Sequence, residues 1–267
     1  MLTTTIKVHW LQKSDAAPAE YEDAYRIAET TETAEPAPGD RPSLLRVAVA
    51  DGATGATFAG EWANVLCEDY VAGNLSASSL LARVSVLAAR WEAAVRRRPL
   101  PWHAEAKLGR DGSHAALLGM TFEPATGAYH LLSVGDCLFL HLRPAGTDGD
   151  FAFIRAFPVE RADDFAASPV LIPTQSGATS NLPAHVVVLT SEACAGDTLL
   201  LLTDALGAWF LREREQGRKP ARWLAAFDLR DGDRQFAKMV RDARDSNRLK
   251  NDDVTLVSVR VTEGTPR

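Results

Sequence analysis

Four short acidic stretches stand at the ends of apolar, strand-like runs. Glu22-Asp23 precedes Ala24-Tyr25-Arg26-Ile27-Ala28, and Asp51-Gly52 follows Val47-Ala48-Val49-Ala50. Asp204 follows a run of leucines, and Asp252-Asp253 precedes a run from Val254 to Val261. In an antiparallel sheet the end of one strand lies beside the start of the next, so such sites can converge on one rim. Taken singly, such an acid is more often a turn residue or a helix cap, and Asp204 could cap a helix beginning at Ala205. Taken together they pose a charge problem, because converging carboxylates raise one another's pKa unless cations lie between them. A pair of hard divalent cations, Mg²⁺ or Mn²⁺, resolves it with oxygen ligands and retained waters. The Gly52 carbonyl, uncrowded by a side chain, can join Asp51 as a ligand. A phosphate-cradling glycine loop is excluded here. There is no Gly-Lys-Ser/Thr, the G-x-G-x-x-G spacing is absent, and Asp51 would repel a bare phosphate.

The elements that must position these acids are legible in outline. Val47 and Val49 alternate with small alanines, as expected of a strand buried on both faces, and Gly55 and Gly60 fall in the turn that follows. Phe58, Trp62, Val65, Leu66 and Tyr70 then recur at helical spacing until Gly73. A second helix is expected from a Ser76 cap to about Arg98, its stripe formed by Leu80, Leu81, Val84, Leu87, Ala88, Trp91 and Val95. Arg96-Arg97-Arg98 reads as the solvated, dipole-complementing end of that helix rather than an anion site. Thr3 to Leu11 alternates as a strand with Ile6, Val8 and Trp10 on one face. Thr30 to Ser43 reads as an exposed hairpin connection. Ala115–Phe122, Ala128–Val134, Cys137–Arg143 and Phe151–Phe157 read as a meander of hairpins. Residues 158 to 185, with four prolines and little periodicity, read as a long functional loop. Strands Val186–Thr190 and Thr198–Thr203 follow, then helices over Ala205–Gln216, Ala221–Phe227 and Asp233–Arg244, and a last strand Val254–Val261. Neither an internal repeat nor a dividing linker is visible, so residues 1 to 267 read as one domain.

Composition narrows the function class. A hydrophobic share of 46% and a charged share of 24% are those of an ordinary globular chain. A net charge of −6 argues against a nucleic-acid partner. No apolar run approaches the ~20 residues needed to span a bilayer, and the N-terminal residues lack a signal-peptide core, so a cytoplasmic chain with no membrane partner is expected. Cys67, Cys137 and Cys194 read as small core residues in a reducing compartment.

In order and spacing, the motifs resemble those of the metal-dependent protein phosphatases of type 2C, in their divergent bacterial branch, and the resemblance runs from Tyr21 to Val261. Glu22-Asp23-Ala24-Tyr25 is similar to the first acidic motif of that family, and Asp51-Gly52-Ala53-Thr54-Gly55 to its Asp-Gly-x-Gly-Gly. Gly112-Ser113-His114-Ala115-Ala116 stands at its Gly-Thr-Thr-Ala-like strand start. Val134-Gly135-Asp136-Cys137 resembles its Val-Gly-Asp-Ser, and Leu202-Thr203-Asp204-Ala205-Leu206 its Ser-Asp-Gly-Leu. Asn251-Asp252-Asp253-Val254-Thr255 resembles its Asp-Asn-Ile-Thr.

The resemblance implies an α+β fold, a four-layer αββα sandwich of two mostly antiparallel sheets flanked by helices. It implies two divalent cations, Mn²⁺ or Mg²⁺, bridged by Asp51, with the Gly52 carbonyl on one and Asp204 and Asp252 on the other. Glu22, Asp23, Asp136 and Asp253 would act through waters or from behind the ligands. A water shared by the cations would attack phosphorus in line, with no Ser or Cys nucleophile. The implied function is phosphoserine/phosphothreonine hydrolysis in signal transduction, on a phosphorylated protein substrate of a serine/threonine kinase. The rival reading is a catalytically impaired relative that binds a partner or regulates; a hydrolase of small phosphate esters is a third. Three departures bear on the choice. Pro18 stands where the family has a phosphate-holding Arg, the nearest cations being Lys13 and Arg26. Ala53 replaces a histidine found in some members, and Ala208 an aspartate that serves a third ion.

Overall fold

The computed structural model describes residues 1–17, 20–30, 43–98, 105, 108, 110–146, 149–227 and 231–264. Among the described residues, eleven strands fall into two sheets in which all neighbours pair antiparallel. They are β1 Leu2–Leu11, β2 Asp23–Thr30, β3 Leu44–Gly52, β4 His114–Phe122, β5 Ala128–Val134, β6 Leu138–Ala145, β7 Asp150–Phe157, β8 Ile172–Pro173, β9 Val187–Glu192, β10 Thr198–Leu202 and β11 Val254–Glu263. One sheet runs β1-β11-β10-β6-β7; the other runs β2-β3-β4-β5-β9, with β8 paired to the start of β4.

The strand period decides the layers. In β3, Val47 and Val49 join Leu118 and Met120 in the core between the sheets, while Ala48 and Ala50 turn to the opposite face. That face packs on helices α1 (Ala59–Val71) and α2 (Leu80–Val95), through Trp62, Leu66, Leu87 and Trp91. The alanines keep α1 close, and all four residues of Val47 to Ala50 are fully buried. β10 does the same from the other sheet. Leu199 and Leu201 face the inter-sheet core, and Leu200 and Leu202 face helices Asp204–Glu215, Pro220–Ala226 and Gly232–Asp245. Helix, sheet, sheet, helix is therefore the order of layers, the αββα sandwich expected.

Several expectations change in detail. The four strands from β4 to β7 do not form one meander, because β4-β5 belong to one sheet and β6-β7 to the other. The chain changes sheets at Val134-Gly135-Asp136-Cys137. Gly135 has φ 95° there and sits where a Cβ would come within 2.6 Å of Ala116 Cβ, so only glycine fits. Gly60 lies inside α1, and Ser76 bonds the turn before α2 (Ser79 N to Ser76 Oγ, 3.1 Å) rather than capping the helix itself. Residues 158 to 185 are largely organised. They contain short 3₁₀ turns and β8, whose Ile172 carbonyl accepts from the Trp62 indole at 2.8 Å. Cys67 and Cys137 are buried as expected, but Cys194 is exposed. Arg96 and Arg98 at the end of α2 pair with Glu92 and Glu61. The expected hairpin connection falls mostly on 31–42 and Pro18 on 18–19, outside the described residues. Among the described residues, no helix is long and apolar enough to cross a membrane.

A buried polar relay joins the sheets at the end where β10 begins. His141 of β6 donates from Nε2 to Asp197 (2.8 Å) and accepts at Nδ1 from the Tyr129 hydroxyl of β5 (3.1 Å). Arg143 grips the same Asp197 with two bonds of 2.7 and 2.8 Å. Burial pushes Asp197 up, but Arg143, the Cys194 amide and His141 outweigh it and bring the carboxyl to about 2.

Candidate metal centre

The other end of the sandwich collects the acids. The β2–β3 register sets Asp23 directly opposite Asp51. In the second sheet β10 and β11 are neighbours, and their ladder continues past the strand ends through Thr203 N to Thr255 O at 3.2 Å. That pairing brings Asp204, at the start of its helix, beside Asp252-Asp253, which lead into β11. Asp136 arrives from the sheet-crossing turn, half-buried.

Hydroxyls tie the two sheets together at this rim. Asp23 is buried, and its Oδ2 accepts from Thr203 Oγ1 (2.9 Å) and Thr255 Oγ1 (2.7 Å). Since each hydroxyl has one proton and spends it on Asp23, Thr203 accepts from the Thr255 amide (2.9 Å) and Thr255 accepts from the Tyr21 phenol. Asp253 is equally committed. Its two oxygens accept from the Lys13 and Glu22 amides at 2.7 Å each, fastening the segment that leads into β2. Glu22 pairs with Lys13 Nζ at 2.9 Å, whereas Arg26 turns away to Glu68.

The electrostatics are those of crowded carboxylates. Burial raises Asp51 well above the ordinary range, and the charges of Asp23, Asp204, Asp136 and Asp252 add to it. Asp23 is pushed up to about 8, chiefly by burial, although both threonine hydroxyls oppose the shift. Asp136 is pushed up to about 6 by burial and Asp204. Burial also raises Asp204, which Lys250 counteracts. Asp51 and Asp204 stand close enough for each to act on the other's charge, and carboxylates crowded in this way call for bound protons or intervening cations. Glycine is required at position 52, because a Cβ there would lie 2.7 Å from both the Ala59 carbonyl carbon and the Glu22 oxygen.

Among the described residues, no three His, Cys, Asp or Glu side chains are already gathered as a set of metal ligands. Named partners account for part of that: the threonines hold Asp23, backbone amides hold Asp253, and Lys250 Nζ draws Asp252 to 2.6 Å. The donor set nonetheless suits hard divalent cations, being all oxygen, with Asp51, Asp23 and Asp136 raised by burial first and by neighbouring carboxylates next.

Compared by sequence, the chain matches no family model and no curated protein. Compared by structure, it superposes end to end on solved phosphatases. The catalytic domain of the serine/threonine protein phosphatase PstP, solved with two manganese ions, gives a TM-score of 0.55 at 18% identity, covering 98% of this chain and 100% of that one. The chain has the type 2C phosphatase fold. The Mycobacterium tuberculosis serine/threonine phosphatase PstP/Ppp gives 0.54 at 16% identity over 97% and 99% of the two chains. A bacterial serine phosphatase gives 0.54 at 11% over 99% and 100%. At such identities the type 2C phosphatase fold is what the chains share.

Sequence reasoning listed the acids but missed what holds them. Thr203 and Thr255 lie inside motifs already singled out, one residue before Asp204 and two after Asp253, so their positions were a usable signal. Lys250 and Tyr21 were not, since their roles depend on where the two sheets meet.

Proposed function

We propose that the chain is a phosphoprotein phosphatase whose centre takes two divalent cations, Mn²⁺ or Mg²⁺. The observation that carries this reading is the convergence of Asp51, Asp23 and Asp204 from two different sheets onto one buried rim. Asp51 and the Gly52 carbonyl would hold one ion, and Asp51, Asp204 and Asp252 the other. Divalent cations bound there supply Lewis acidity toward water and toward the phosphoryl oxygens.

The remaining work belongs to the chain. Asp23, whose Oδ2 is fixed by Thr203 and Thr255 opposite Asp51, would hold a water of the cations from behind the ligands. Glu22 and Asp136 would act the same way, and Asp253 holds the Lys13 and Glu22 amides in place. Beside Glu22 opens a cleft of about 450 Å³ lined by Lys13, Tyr21, Phe58, Glu61 and Arg98. That cleft is where a peptide carrying phosphoserine or phosphothreonine would lie, and Lys13 is its cation nearest the acids. On this reading the chain works as a single domain on the product of a serine/threonine kinase in cytoplasmic signalling, and its net charge of −6 argues against a nucleic-acid partner.

A second reading, a binding or regulatory module that has lost catalysis, is favoured by one observation: Asp252 is engaged by Lys250. Phosphate release from a phosphothreonine peptide separates the two. The phosphatase reading expects release that requires Mn²⁺ or Mg²⁺, is abolished by chelator, and falls at least about a hundredfold in Asp204→Asn. A chain that binds Mn²⁺ yet releases no phosphate is the module.

A further inference from the structure

Lys250 sits where two of the proposed ligands meet. Its Nζ lies 2.6 Å from Asp252 Oδ2 and 3.7 Å from Asp204 Oδ2. These carboxylates come from different elements, the first turn of the helix Asp204–Glu215 and the turn that enters β11. A single positive centre within reach of both therefore stands in the place a shared cation would take. The lysine is rooted but its arm is free. The adjacent Leu249 is buried, the Lys250 carbonyl accepts from the Asp252 amide at 3.0 Å, and the Asp252 carbonyl is held by Arg244. The Lys250 side chain itself is 66% exposed, so it can swing into water without unfolding anything.

We infer that the Lys250 ammonium is a built-in rival of the divalent cation at Asp204 and Asp252, and must leave before that ion can take both carboxylates. The inference rests on the two-cation reading above. An ammonium brings one charge and three N–H donors to the acids, whereas a divalent ion brings twice the charge and direct oxygen ligation. The ion wins only when its concentration offsets the pairing it displaces. The Asp51–Gly52 side has no such rival among the described residues: Lys13 is spent on Glu22 and Arg26 on Glu68. The two ions should therefore bind with unequal affinity, the weaker step at the Asp204–Asp252 side. Lys250 then sets the cation concentration at which the centre becomes complete.

Calorimetric Mn²⁺ titration of the full chain tests this, with wild type, Lys250→Gln, Lys250→Arg and Asp51→Asn compared. Removing one like charge a few ångströms from the ion should tighten the weaker step about tenfold in Lys250→Gln. Lys250→Arg, which keeps the charge, should stay near wild type. In excess chelator, Lys250→Gln should melt lower than wild type, because the acidic rim loses its counter-charge. An Mn²⁺ affinity in Lys250→Gln equal to or weaker than wild type overturns the inference while leaving the metal centre standing. If wild type and Lys250→Gln both ignore Mn²⁺, the two-cation reading falls and takes this inference with it. If only Lys250→Gln binds Mn²⁺, the rivalry is supported in its strongest form.

Discussion

Asp51 faces Asp23 across the β2–β3 ladder, and Asp23 reaches on to Thr203 and Thr255 of the second sheet. The two sheets thus meet through a carboxylate that sits beside the proposed bridging ligand. Disturbing the junction and disturbing the ligands should have different signatures.

The first prediction concerns pH in excess chelator. Asp51, Asp23 and Asp136 all have folded pKa values above those of free carboxylates, Asp23 at about 8 and Asp136 at about 6. The folded chain therefore binds more protons than the unfolded one above roughly pH 4, and stability falls as pH rises. Melting in chelator should show a higher Tm at pH 5 than at pH 8. Saturating Mn²⁺ should recover most of the loss at pH 8. A Tm that climbs from pH 5 to pH 8 in chelator would contradict the crowded rim.

Asp51→Asn removes one repelling charge and one ligand together. In chelator at pH 8 it should be neutral or stabilising, yet it should lose most of the Mn²⁺-induced rise in Tm. A strong loss of stability in chelator, with wild type indifferent to Mn²⁺, would make Asp51 only a turn residue.

Thr255→Val keeps shape but deletes a hydroxyl that both donates to Asp23 and accepts from Tyr21. The buried partners left behind should cost about 1–3 kcal/mol in urea unfolding. Thr203→Val should cost a similar amount, and the double variant less than the sum, since both serve the same carboxylate. Additive losses would mean that the two hydroxyls act independently.

Gly52→Ala forces a methyl against the Ala59 backbone and the Glu22 carbonyl. Overpacking of this kind costs about 1–3 kcal/mol, and the backbone shift should also weaken the Mn²⁺ response. Unchanged stability would show that the β3 end has room that the contacts deny.

At the opposite end, Asp197 is held at about 2 by Arg143, the Cys194 amide and His141 against the effect of burial. A depressed carboxylate contributes stability that is intact above its unfolded value, roughly pH 4, and is lost as pH falls toward 2. Asp197→Asn should cost about 2–3 kcal/mol at pH 7 and flatten that acid limb. An acid limb identical to wild type would place the loss elsewhere.

Much of this was legible in the chain. Alternation in Val47-Ala48-Val49-Ala50 gave a strand with two buried faces, and the order of the acid motifs gave the rim. What was not legible is tertiary. Periodicity is local, so β5 and β6 read as neighbours although Gly135 sends the chain to the other sheet. Residues 158 to 185 lack a repeating pattern because their order comes from contacts such as Trp62 with Ile172. The exposed Lys250 looks like any surface lysine until Asp204 and Asp252 are seen on either side of its ammonium.

The sheets are pinned at both ends, by Asp23 with its two threonines at the acidic rim and by Tyr129, His141 and Asp197 at the other. A slide of one sheet over the other by a single residue, about 3.3 Å, would break both pins at once. Shear is therefore closed to this molecule as a way of adapting to what it binds. Whatever yielding a bulky phosphopeptide requires must come from the segments that enter the rim, and the spacing of Asp51 to Asp204 is inherited unchanged from the sandwich.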